Sequence, residues 1–85
     1  MTAQELLLKL EATSADATMA EVHDLLVACG FVRIVYDEPW DVLLYYNKDW
    51  DARLTFPLES TSVPRSKLDG ILSLLRSRLN QESEL

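Results

Sequence analysis

The chain reads as an α+β domain with element order α-α-β-β-β-α, a three-stranded antiparallel sheet carrying its helices on one face. Three observations predict this. Two Thr-x-x-Glu pairs stand ahead of apolar runs, as at helix starts. Apolar residues recur at helical spacing in the first third and again near the end. Between them, residues 31–56 are rich in β-branched and aromatic residues broken by short polar turns.

Taken in order, Thr2 and Glu5 form a capping-box pattern, and "QELLLKLEA" predicts a short helix ending near Thr13. "TSADA" interrupts it with small polar residues. Thr18 and Glu21 repeat the box, and Val22, Leu25, Leu26 and Cys29 follow at i, i+3, i+4 and i+7. Gly30 then stands where a left-handed helix stop belongs. "FVRIVYD" predicts a strand, with Val32 and Ile34 expected inward and Arg33 and Val35 outward. "EPW" interrupts it, since Pro39 cannot donate to a central ladder. "DVLLYYN" predicts a second strand, apolar on both sides, and "KDWD" a turn. "ARLTF" predicts a third strand with Ala52, Leu54 and Phe56 inward. "PLESTSVPRS" reads as a loop, and the last helix as starting near Ser66 with Asp69 in the capping position. Leu68, Ile71, Leu72, Leu75 and Leu79 hold one face of it, with Gly70 expected to allow close packing on the sheet.

At 85 residues, 48 % hydrophobic and 26 % charged, the chain fits one domain, 1–85. The N-terminal stretch lacks a basic leader, no purely apolar run exceeds the five residues of Val42 to Tyr46, and one cysteine makes no internal disulfide. The expected compartment is the cytoplasm. A net charge of −6 opposes general polyanion binding, although Arg65, Lys67, Arg76 and Arg78 make the last helix locally basic.

"VHDLLVACGF", the three strands, "LTFP" and "KLDGILSLL" resemble the HicA-type toxins of bacterial toxin–antitoxin pairs across residues 19–79. The resemblance implies a double-stranded-RNA-binding-like (dsRBD-like) core over 18–80, an extra N-terminal helix over 1–13 and a frayed tail at 81–85. It also implies RNA cleavage by a histidine within a Gly-Ser-His after the Gly-Phe. Here Glu38-Pro39-Trp40 take that place, and Pro57 is followed by Leu58 and Glu59 instead of a second histidine. An indole neither accepts nor delivers a proton near neutral pH, so the nuclease activity is expected to be absent.

Other chemistry is sparse. His23 is the only histidine and reads as a surface or boundary residue. Asp37, Glu38, Asp41, Asp49 and Asp51 read as solvated turn acids without the spacing of a calcium loop. Ser60, Ser62 and Ser66 lack a nucleophile-elbow context. No enzyme, cofactor or metal is expected. The leading expectation is a non-catalytic module that grips a protein partner through Trp40, Asp41, Tyr45, Trp50 and Asp51. The alternatives are RNA binding without cleavage through Arg33, Arg53, Arg65, Lys67, Arg76 and Arg78, or a degenerate toxin–antitoxin component. The outer sheet face, if not covered by the N-terminal helix, would present large apolar residues to a partner or to a second copy.

Overall fold

A computed structural model describes residues 2–83 of the chain. The elements run α1 (Ala3–Glu11), β1 (Ala17–Thr18), α2 (Met19–Ala28), β2 (Val32–Tyr36), β3 (Val42–Asn47), β4 (Ala52–Pro57), β5 (Ser62–Val63) and α3 (Arg65–Ser83). The protein is therefore α+β, with three helices and a three-stranded antiparallel sheet in the order β2-β3-β4.

Both capping boxes form as the sequence predicts. The Thr2 hydroxyl accepts from the Glu5 amide at 3.2 Å, and the Thr18 hydroxyl accepts from the Glu21 amide at 3.1 Å. Glu21 reaches back to accept from the Thr18 amide at 3.0 Å. Hydrogen bonds from the Thr18 backbone and hydroxyl hold its carboxyl below the usual range. This cap is strongest while Glu21 is ionised, and it weakens as pH falls through that lowered value. Gly30 ends α2 at φ 95°, a conformation that side-chain-bearing residues rarely adopt.

The sheet register settles which residues face the helices. Arg33 and Leu54 both stand opposite Tyr45, and Val35 and Phe56 both stand opposite Leu43. Directly paired residues share a face, so Arg33 and Val35 point to the helix side with Leu43, Tyr45, Leu54 and Phe56. The inward placement expected of Ala52, Leu54 and Phe56 holds. Val32 and Ile34 are the reverse of expectation: they lie on the outer face, where Val32 is 60 % exposed. The physical reason is Phe31. It is buried just ahead of β2 and packs edge-on against Trp50, with centroids 5.7 Å apart, which commits the odd-numbered residues of β2 to the helix side.

The core joins Leu7 and Leu10 of α1, Val22, Leu25 and Leu26 of α2, and Leu68, Ile71, Leu72, Leu75 and Leu79 of α3 to Leu43, Tyr45 and Phe56. The N-terminal helix α1 packs on α2 and α3, leaving the outer sheet face open. Two α3 arginines secure α1: Arg65 donates to the Leu10 carbonyl at 3.0 Å, and Arg76 pairs with Glu11.

Three further details depart from the sequence reading. The segments read as breaker and loop contain β1 and β5, which pair with each other and bury Ala17 and Val63. The start of α3 is capped from far away: Asp16 Oδ1 accepts from the Arg65 amide at 2.8 Å, while Asp69 instead pairs with the Arg65 side chain at 2.8 Å. The helix continues to Ser83, beyond the expected start of fraying at 81; residues 84 and 85 lie outside the described range.

Gly70 faces solvent and has nothing within 4 Å of where a Cβ would sit, so it makes no close contact with the sheet. Gly70→Ala is expected to stabilise the protein by about 1 kcal/mol, because alanine restricts the unfolded chain and suits a helix interior. A thermal melt should register this as a rise of several degrees.

Candidate functional site

The two tryptophans do not share a surface. Trp40 lies in the β2–β3 turn, 69 % exposed, with its amide donating to the Asp37 carbonyl at 3.1 Å. Trp50 lies in the turn at the other end of β3, buried against Phe31. Tyr45, also expected on a contact surface, is buried at 1 % exposure on the helix side. The reason lies in the two-residue period of β3, which sends Leu43, Tyr45 and Asn47 inward and Leu44 and Tyr46 outward.

Asp41 and Asp51 have backbone roles. Both have positive φ, 48° and 50°, in the left-handed region that aspartate tolerates better than most residues. Each Trp-Asp pair thus ends a turn, and the aspartate supplies the reversal into the next strand. Asp51 also pairs with Arg53 at 3.3 Å, with both side chains largely exposed.

The residues expected to touch RNA are mostly engaged within the fold. Arg53 lies over the Tyr46 ring, 4.8 Å from its centroid. Lys67 donates to the Thr55 carbonyl at 2.7 Å and sits 4.3 Å above the Phe56 ring. Arg65 and Arg76 bind α1 as described, Arg78 is half-buried on α3, and Arg33 lies beside Tyr45. They do not form one basic stripe.

Two surfaces emerge from the packing. The first is the open face of the sheet. Register places Val32, Ile34 and Tyr36 beside Tyr46, Leu44 and Val42, with Arg53 and Thr55 along the third strand. Among the described residues the large exposed hydrophobics are Leu8, Val27, Val32, Val35, Tyr36 and Trp40. Three of these six, Val32, Tyr36 and Trp40, belong to this face or its turn, which centres the apolar surface on the β2 edge. The opposite edge, β4, has Lys67 bonded to its Thr55 carbonyl.

The second is a group that sequence reading missed. The His23 Nδ1 lies 2.7 Å from the Tyr45 hydroxyl, with the rings edge-on at 5.7 Å. Arg33, opposite Tyr45 in the sheet, acts on the same phenol through its charge and a hydrogen bond. The signal available in sequence was a lone histidine on the helix preceding a Gly-Phe, facing a strand whose tyrosine sits on the buried phase. It could be used only once the strand register was known.

Burial pushes the Tyr45 phenol above its ordinary value of 10.0, against the opposing charge and hydrogen bond of Arg33. Its contribution is therefore full below that value. As pH rises past it the unfolded chain ionises first, and stability falls until the folded phenol also ionises. Tyr45→Phe is expected to flatten this alkaline loss in urea melts run either side of pH about 10.

Among the described residues, no three His, Cys, Asp or Glu side chains converge on a common point suited to a metal ion. No helix among them is long and apolar enough to cross a membrane. Compared with known proteins, the chain matches no family profile, no curated protein and no solved structure.

Proposed function

We propose that this chain is a small non-catalytic interaction module of HicA-like (dsRBD-like) architecture that docks a protein partner across its open sheet face and the Trp40 turn. The carrying observation is the uncovered apolar face: Val32, Ile34, Tyr36, Val42, Leu44 and Tyr46 lie together with no helix over them, continuous with an exposed Trp40. Contiguous apolar faces of this kind mark interaction sites, and Trp and Tyr dominate interface hot spots. Asp37, Glu38 and Asp41 flank Trp40 on a chain of net charge −6. The fitting partner is a protein segment with apolar side chains and basic neighbours, whose encounter the acidic turn would speed.

The HicA-like architecture is supported by the run from α2 through three antiparallel strands to α3. The non-catalytic reading is supported by Trp40 in the place of the family's histidine. RNA binding through the six basic residues has less support, since Arg53, Arg65, Lys67 and Arg76 already have partners within the fold.

The test is capture and identification of partners with the wild type and with a Trp40→Ala/Tyr36→Ala double variant. A partner carrying a basic, apolar segment should be retained by the wild type and weakened at least tenfold by the double variant, about 1.4 kcal/mol or more. Retention of every partner by the folded double variant would remove this reading. So would light scattering that found the face already occupied by a second copy, or a salt-sensitive gel shift with RNA.

A further inference from the structure

We infer that the cleft between α2, the inner face of β2–β3 and the segment after β4 is a binding site for a phosphate monoester with a small apolar body. The site lies on the helix side of the sheet, so it is independent of the docking face proposed above. The cleft has a volume of about 320 Å³ and is lined by His23, Arg33, Tyr45 and Ser60, with Met19 and Leu43 among its apolar walls.

Hydrogen-bond chemistry fixes the polarity of this cleft. A guanidinium can only donate, and the Arg33 charge stands beside the Tyr45 phenol, directly opposite it in the sheet. The Tyr45 hydroxyl and His23 Nδ1 are hydrogen-bonded to each other at 2.7 Å. That bond occupies Nδ1, so a ligand in the cleft would meet the other ring nitrogen, Nε2. Beside it the lining offers the donors of the Arg33 guanidinium and the Ser60 hydroxyl. No carboxylate lines this cleft. The field of Asp24 reaches Tyr45, but Asp24 lines a separate depression on the other side of His23.

These groups reach the cleft from three separate elements, a helix, a strand and a loop. That arrangement suits a tetrahedral anion better than a planar carboxylate, which favours a coplanar fork. The apolar walls and the volume leave room for a small body attached to the phosphate. The chain's net charge of −6 disfavours a polyanion at the same place.

The experiment is an NMR titration of the full chain, following the His23 imidazole and the backbone amides of residues 19–23, 33 and 58–60. Phenyl phosphate, inorganic phosphate and a short oligonucleotide are added at constant ionic strength. Saturable shifts confined to these residues are expected, with phenyl phosphate binding about tenfold more tightly than inorganic phosphate because it also covers the apolar walls. Arg33→Gln keeps much of the side chain's length but loses the charge, and should weaken phenyl phosphate at least tenfold while the fold, checked by circular dichroism, persists. Tyr45→Phe removes the hydroxyl that holds His23 Nδ1 but keeps the packing, and should weaken binding less than Arg33→Gln does. Unchanged binding to folded Arg33→Gln would overturn the site. Non-saturating shifts spread over all lysines and arginines would do the same, as would an oligonucleotide binding more tightly than phenyl phosphate.

Discussion

Trp50→Ala is expected to remove about 3–5 kcal/mol of stability, whereas Trp40→Ala should change it by no more than about 0.5 kcal/mol. The two residues have the same side chain and the same following aspartate, and they sit at opposite ends of one strand. Trp50 is 9 % exposed, and its ring meets Phe31 edge-on inside the core. Truncating it would leave a cavity that the short β3–β4 turn is poorly placed to fill. A domain of this length has a total stability of roughly 4–13 kcal/mol, so the loss would be a large fraction of the whole. Trp40 is 69 % exposed and supports no core contact, so its removal should be visible only in binding. Urea unfolding of the two variants side by side makes the comparison. Equal losses in both would contradict the assignment of one indole to the core and the other to the surface.

Asn47→Ala should cost about 3 kcal/mol, an unusual amount for one polar side chain. Asn47 is 2 % exposed, the one buried polar residue among the described residues. Its Nδ2 donates to the Cys29 carbonyl at 3.0 Å, and its Oδ1 accepts from the Trp50 amide at 3.1 Å. One amide therefore ties the C-terminal end of α2 to the β3–β4 turn. Removing it deletes both hydrogen bonds at once, and losing a partner at a buried polar group costs about 1–3 kcal/mol. Asn47→Asp provides the control: it keeps the acceptor for Trp50 but turns the donor into an oxygen facing the Cys29 carbonyl. Both variants should lower the urea midpoint, and a change below about 0.5 kcal/mol in Asn47→Ala would show that water replaces the latch without loss.

The features that the sequence predicted correctly are those encoded over a few residues. Each Thr-x-x-Glu box spans one turn of helix, Gly30 serves the residue before it, and the alternation in "ARLTF" needs only its own strand. What escaped prediction depends on residues far apart in the chain. Asp16 caps a helix that starts 49 residues later, and His23 meets Tyr45 across 22. Nothing local in "TSADA" or "PLESTSVPRS" distinguishes a two-residue strand from a loop, because such strands exist only as a pair.

The inward face of β2 is hidden from the sequence for a related reason. Both phases of "FVRIVY" are rich in β-branched or aromatic residues, and Arg33 made its own phase look solvent-facing. Because β2 is an edge strand, however, an arginine on the helix side reaches the rim and the Tyr45 phenol without being buried. Trp40, Asp41, Tyr45, Trp50 and Asp51 do not form the one contact surface that the sequence suggests; the stretch holds an exposed indole, a buried indole and phenol, and two left-handed aspartates that end the turns.

The pairing of β1 with β5 also bears on the order in which the chain assembles. The β2–β3 and β3–β4 turns close over a few residues, but joining Ala17 to Val63 closes a loop of roughly 45, at an entropic cost about 2 kcal/mol greater. The sheet can therefore form while this clasp is still open. The clasp, the Asp16 cap and the seating of α3 are expected to form after the sheet, in the final part of folding. Weakening Asp16 should accordingly steepen the escape from the native state and leave the speed of reaching it almost unchanged. The two residues on each side of this long-range stitch should therefore bear on how long the folded state lasts more than on how fast it is reached.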